Sequence, residues 1–407
     1  MIDTGNTAWI ITATALVLFM TLPGLALFYG GLVRKKNVLS VLMQCISVAC
    51  LASVLWLVIG YSLAFGDGNQ WIGDTSKMFL SGVGRDTLSG DIPETVFFAF
   101  QMTFAVITPA LIVGAYVERI KFSAVLLFSG LWLLIVYAPV THWILAGNGW
   151  LFQAVLLDFA GWLVVHLTAG SSALVLAAML GPRSTFPLQV DPPHNPAMVM
   201  IGASMLWVGW FGFNAGSALA ADGNAGMAMV VTHISAATAS LVWMLMDWSR
   251  FGKPTLIGLV TGTIAGLASI TPASGSVGPI GALIIGASAG IICYLFVNIV
   301  KNNFKIDDSL DVFPVHGVGG ILGIIMIAFV GNPDGFLGSG AAGISEDGAI
   351  AQLMIQLQGV IVISAYTAIV TYVILRLVSL VTDVRASEED EDVGLDMSEH
   401  NEQGYSL

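Results

Sequence analysis

The sequence predicts an all-α polytopic membrane protein with eleven spans, on three observations. Of its 407 residues 56% are hydrophobic and 10% charged, against about 25% charged in an ordinary soluble domain. The apolar residues gather into eleven unbroken runs, each near the roughly 20 residues with which a helix crosses about 30 Å of hydrocarbon. Lysine and arginine segregate between alternate loops. Other classes are excluded by the same composition. A net charge of −12 leaves no basic face for nucleic acid, and the apolar content is too high for a disordered chain. Cys45, Cys50 and Cys293 all lie inside apolar runs, which is no disulfide framework.

The runs fall near residues 8–32, 39–65, 93–117, 122–145, 158–180, 196–218, 225–248, 255–271, 277–300, 312–331 and 350–380. A membrane barrel would instead show alternating segments of about ten residues. With the N-terminus outside, 12 of the 14 basic residues fall in inward-facing loops and only Lys77 and Arg85 outside, the bias that orients membrane proteins. No basic residue precedes the first span, so no signal-peptide n-region is expected. The outer loops near 66–92 and 332–349 are too short for a second core. The chain therefore reads as a membrane domain, 1–382, and an acidic inward tail, 383–407, flexible when unbound. From Ala386 to Leu407 that tail carries eight acids and no Lys or Arg, so this stretch supplies −8 of the net charge and leaves −4 for the other 385 residues. A solvated charge run is the plain reading; beside an inward surface bearing 12 basic residues, docking is the other.

Five is odd, so spans 1–5 and 6–10 start on opposite faces. Two similar halves would form an inverted 5+5 repeat about an in-plane axis, with a long eleventh helix outside it. One pair of features suggests the repeat. The fifth run opens on Asp158 and reaches His166 eight residues on, about 12 Å along a helix. The tenth opens at Asp311 and reaches His316 after five. An ionisable group inside a span costs about 2.5–3.5 kcal/mol and marks a functional candidate. Each histidine is alternatively a neutral interhelical bridge, and Asp158 alternatively a helix cap. His142 and His233 have no matching partner and read as structural. No motif converges three or four metal ligands or sets a nucleophile beside a base, so no metal, cofactor or enzymatic activity is expected. Glycine runs such as GALIIGASAG (281–290) permit close helix packing. GWFGFNAGSA (209–218) gathers a Trp, two Phe and a Ser among small residues, as a substrate portal or as lipid-facing filler.

Several motifs together resemble the ammonium transporter family (Amt/Mep/Rh), above all its bacterial members. They are PGLALFYGGLVRKKNVLS (23–40), FQMTFAVITPALIVGAYVERIKFSA (100–124), LDFAGWLVVH (157–166), GWFGFNAGSA (209–218), DVFPVHGVGG (311–320) and the tail segment GLDMSEHN (394–401). The resemblance implies an outer site where ammonium is held by Phe104 and Ser217, with Trp210 near it and Asp158 shaping it. It implies a stacked gate of Phe104 and Phe213 beside Phe100, and a narrow pore lined by His166 and His316. It also implies a homotrimer in the bacterial inner (plasma) membrane, and a PII-type regulator on the cytoplasmic face, with Gly394, Leu395 and Asp396 in the regulatory tail. One departure is Leu145 within HWILAGNGW (142–150), where the family's outer site has a Trp. An indole face attracts a cation by about 0.5–2 kcal/mol, which leucine does not; Trp143 and Trp150 are the neighbouring candidates to replace it. A second is Pro109 in the third span, expected to kink it.

The chemistry implied is recruitment of ammonium, removal of its proton and conduction of ammonia. An unpaired charge in apolar protein costs many kcal/mol, and ammonia avoids that. Potassium has no proton to lose, so deprotonation also selects. Histidine suits a proton relay near neutral pH, and a relay beside the ammonia moves net charge. The alternatives are an ammonium sensor with weak transport and a passive Rhesus-type channel for ammonia or carbon dioxide.

Overall fold

The computed structural model describes residues 1–184, 186, 192–331 and 348–405; most of the loop expected at 332–349 lies outside them. Among the described residues, eleven helical segments are long and apolar enough to cross a membrane, so the protein is a multi-pass helical membrane protein. The first five run Thr4–Leu32, Lys35–Phe65, Glu94–Tyr116, Phe122–Gln153 and Leu163–Leu180. The next five run Pro196–Gly216, Gly223–Phe251, Leu256–Ala273, Pro279–Asn303 and Phe313–Val330, and Ala349–Val378 follows as the eleventh. The third span continues unbroken through Pro109.

The spans are not equivalent. The third, fifth and eighth are 78% buried, the second and eleventh 33%, so the former make the interior and the latter the rim. Close approach depends on the small residues: a Cβ at Gly286 would stand 2.5 Å from the Ser235 carbonyl, which packs the ninth span on the seventh. The histidines follow the same logic. His142 is buried, its ring nitrogens 2.9 Å from the Ala64 carbonyl and 2.6 Å from that of Asn69, pinning the loop after the second span. His233 is exposed on the seventh span and packs against Trp207 and Phe211.

The fifth and tenth spans begin at Leu163 and Phe313, in both cases on a π-helical turn, Leu163–Leu167 and Phe313–Val318. Such turns recur at functional sites because their wider winding re-aims side chains. An acid caps each. Asp158 accepts from the backbone N–H of Trp162 (2.6 Å) and Leu163 (2.7 Å), and Asp308 from that of Phe313 (2.7 Å). Asp308, not Asp311, is therefore the partner of Asp158, which corrects the sequence reading. The two stretches match at an interval of 150 residues: Asp158 with Asp308, and His166 with His316. Between them Gly161 and Asp311 both take left-handed backbone, φ 72° and 60°. Asp311, at which the tenth apolar run opens, instead occupies the turn, and its carboxylate meets Lys301 at 2.7 Å.

The tail is not loose. Ser387 opens a helix over Glu388–Val393 with a capping box, and a second covers Leu395–His400. At their junction Gly394 has φ 105°, and a Cβ there would stand 2.6 Å from the Lys36 carbonyl. Leu395 N–H donates to Asn37 Oδ1 (2.8 Å), and Asp396 Oδ1 accepts from the Ser40 N–H (2.7 Å). Ser40 lies in the first turn of the second span's helix, where backbone N–H groups lack intrahelical acceptors; the tail supplies one. Arg385 joins Glu391 (2.7 Å) to the Leu180 carbonyl (2.8 Å). The expected flexibility fails because the acids alternate with groups that have specific partners on the membrane domain.

Candidate functional site

From the N-terminal face, a cavity of about 120 Å³ descends between the third and fifth spans. Phe100, Phe104, Leu145 and Ser217 line it, together with Phe97, Gln101 and Phe159, which sequence reasoning did not single out. Among the described residues, no charged side chain lines it. The Ser217 hydroxyl donates to the Phe213 carbonyl at 2.8 Å, which leaves its lone pairs to face a cation. Phe100 packs edge-on against Phe104 (4.9 Å between centroids), and Phe104 against Phe213 at 4.6 Å and 70°.

Beyond these rings stand the histidines. His166 is fully buried, 5.6 Å from the Phe213 ring and 5.4 Å from that of Trp210, with which it is nearly parallel. Its Nδ1 lies 3.1 Å from Nδ1 of His316, the two ring planes 9° from parallel. Its Nε2 has no hydrogen-bond partner among the described residues. His316 lines a second cavity of about 210 Å³ opening toward the tail face, whose walls also hold Tyr29, Arg183, Lys301 and Asp311. The pair thus stands between the two cavities, His316 lining the second and the Phe213 ring separating His166 from the first.

Two helices must touch for this contact to exist. Gly170 is one turn beyond His166, and a Cβ on it would meet Gly317 Cα at 2.7 Å. Gly320, four residues beyond His316, lies flat against Trp162, where a Cβ would fall 1.5 Å from Cε2. The indole N–H of Trp162 in turn donates to the His316 carbonyl at 3.3 Å.

The remaining sequence candidates are placed as follows. Asp158 caps the fifth span and does not line the cavity. Trp210, expected near the recruitment site, sits one layer deeper, its N–H donating to Thr271 Oγ1 at 2.8 Å and its ring against His166. Leu145 lines the cavity at the position expected of a Trp. Neither Trp143 nor Trp150 replaces it: Trp143 donates to the Trp71 carbonyl (2.7 Å), and both indoles pack on Trp71. The eight-residue spacing from acid to histidine is the sequence signal for Asp308, at 308 and 316 as at 158 and 166; Gln101 carries no such signal.

At the tail face, Glu118 receives the Arg34 N–H (2.8 Å), Asn37 (3.0 Å) and Arg183 (3.0 Å), while Asp307 pairs with Arg119 and Arg183, both at 2.9 Å. Burial pushes the Glu118 carboxyl up, but Arg183 and Arg34 outweigh it and hold it below the ordinary carboxylate range.

A family model described as "Ammonium Transporter Family" matches residues 8–405. An ammonium transporter of Aquifex aeolicus is 45% identical over 411 residues, covering 100% of this chain and 94% of that protein. One from Bacillus subtilis is 44% identical over 403 residues, covering 98% of each. Among solved structures, Saccharomyces cerevisiae Mep2 superposes with a TM-score of 0.86 at 35% identity, covering 96% of this chain and 90% of that one. A structure titled "Sensor Amt Protein" gives 0.89 at 28% identity, covering 97% and 98%.

Proposed function

The chain belongs to the ammonium transporter family, and we propose that it conducts ammonia and a proton by separate but adjacent routes, moving net charge. The carrying observation is the 3.1 Å contact between His166 and His316 Nδ1, between two cavities and behind an apolar aromatic constriction. Ammonium is recruited by the rings of Phe100 and Phe104 and the Ser217 hydroxyl, and loses its proton at the Phe104–Phe213 gate. Ammonia then passes the rings without the cost of burying a charge.

Two neutral imidazoles sharing Nδ1 contact must differ in tautomer, one donating and one accepting. A proton taken up at Nε2 of one ring lets its Nδ1 proton cross to the other, which releases its own from Nε2. The unpartnered Nε2 of His166 is the atom available for uptake. Asp158 and Asp308 act as positioning residues through the helix turns they cap. The 150-residue interval supports an inverted 5+5 repeat, and the basic-residue bias an outside N-terminus. A homotrimer in a bacterial inner membrane, with residues 383–407 as a tail read by a PII-type regulator, completes the reading.

Ammonium-evoked current in proteoliposomes, with potassium and methylammonium as controls, tests it. Replacing both His166 and His316 by apolar residues abolishes the proton-coupled current or turns the pore into a less selective conductance. Unchanged current and potassium exclusion in that double variant refute the relay. The likeness to a structure titled as a sensor favours a second reading, ammonium sensing with weak transport; a robust wild-type current rejects it.

A further inference from the structure

A third cavity, about 430 Å³ and more polar, lies beside the vestibule on the N-terminal face, and Phe97 and Leu145 line both. Its wall holds a buried carboxylate, that of Glu94. Glu94, the first residue of the third span's helix, is 6% exposed. One oxygen of Glu94 accepts from the Tyr61 hydroxyl at 2.8 Å and from Lys77 Nζ at 2.6 Å. The same Nζ stands 5.8 Å from the centre of the Tyr61 ring. A carboxylate oxygen with an aromatic face beside it is what a primary ammonium seeks, and here one is tethered in place. Lys77 enters from the loop between the second and third spans, its backbone N–H held by Ser62 Oγ at 2.9 Å, and its side chain remains 27% exposed.

We propose that Glu94 and Tyr61 form an antechamber site for ammonium and small alkylammonium ions, which displace the Lys77 ammonium there before passing Leu145 and Phe97 into the vestibule. The proposal rests on the transport reading for the ion's onward path, though not for its binding. It accounts for a vestibule with no charged side chain among the described residues that line it and with leucine in place of the indole. Concentration of cations next door supplies what the rings alone do not. Lys77 is an internal competitor, so the site stays occupied at low ammonium and is not left as a bare buried charge.

The test uses the full-length protein and its Lys77→Met, Glu94→Gln and double variants. Ammonium and methylammonium binding is measured by calorimetry at constant ionic strength, and half-saturating ammonium from proteoliposome currents. Removing the competitor tightens ammonium binding and lowers half-saturation about two- to five-fold, the range of a partly exposed ion pair. Glu94→Gln weakens binding and erases the gain in the double variant, a non-additive cycle. If Lys77→Met leaves affinity unchanged or weakens it, the pair is only a loop tether and the proposal falls. Should Glu94→Gln lower the yield of folded protein, Lys77→Met still decides, because lost folding cannot tighten binding. A wild type that binds methylammonium in a Glu94-dependent manner but carries no current supports the antechamber and refutes transport. Normal current with affinity indifferent to both residues does the reverse.

Discussion

The contact between the two histidines is set by the backbone crossing beside it, and Gly170→Ala perturbs that crossing without touching either imidazole. A Cβ at 170 would stand 2.7 Å from Gly317 Cα and 2.8 Å from its nitrogen, where ordinary contact begins at 3.4 Å. Neither neighbour is a side chain that can swing away, so the fifth and tenth spans must part by about 0.7 Å, at a general overpacking cost of about 1–3 kcal/mol. Gly170 is one turn from His166 and Gly317 adjoins His316, so the separation is passed on to the rings. The Nδ1 contact of 3.1 Å then opens to about 3.8 Å, past hydrogen-bonding distance. Losing a bond that carries charge, worth about 1.5–3 kcal/mol, slows proton transfer by roughly ten-fold or more. Proteoliposome current reads the loss, and thermal unfolding shows how much folded protein remains. Gly130→Ala is the control, since its Cβ meets only side-chain methyls of Leu51 and Leu55 at 3.5 Å. A folded Gly170→Ala variant with wild-type current and potassium exclusion would show that the histidine contact is not what moves the proton.

Two further outcomes are expected. Leu145→Trp places an indole against the vestibule and tightens apparent ammonium binding about 2- to 30-fold, the equivalent of about 0.5–2 kcal/mol; binding titrations that show no change mean that another ring already serves. Glu118, held below the ordinary carboxylate range, contributes stability that is complete above about pH 4.3 and is lost as pH falls through its depressed native value. Glu118→Gln therefore lowers stability at neutral pH by about 3–5 kcal/mol, as removing one partner of a buried pair does. The gap from wild type closes in acid, and a gap in unfolding midpoint that stays constant across that range refutes the assignment.

The number of spans was legible because each is a matter of composition: about 20 apolar residues in succession leave the backbone one economical solution, a helix. The family was legible for a related reason, since its motifs are contiguous stretches. The histidines stood out because an imidazole inside an apolar run needs a reason to be there. Their contact did not, because 150 residues separate them and only the packing of Gly170 on Gly317 brings them to 3.1 Å. Asp308 was hidden for another reason. Capping depends on where the backbone turns, and the turn at Asp311, with its φ of 60°, is not written in hydropathy. Trp143 and Trp150 read as possible substitutes for a missing indole until Trp71, from a distant loop, claimed both. The tail's acids read from sequence as a solvated run or a docking segment, and Ser40, Asn37 and Arg385 give some of them and their neighbours the partners that sequence could not name. Sequence by itself determined what must be buried in the membrane and which residues are out of place there. Tertiary structure alone decided which of those meet, because contact between distant segments is a property of close packing and not of composition.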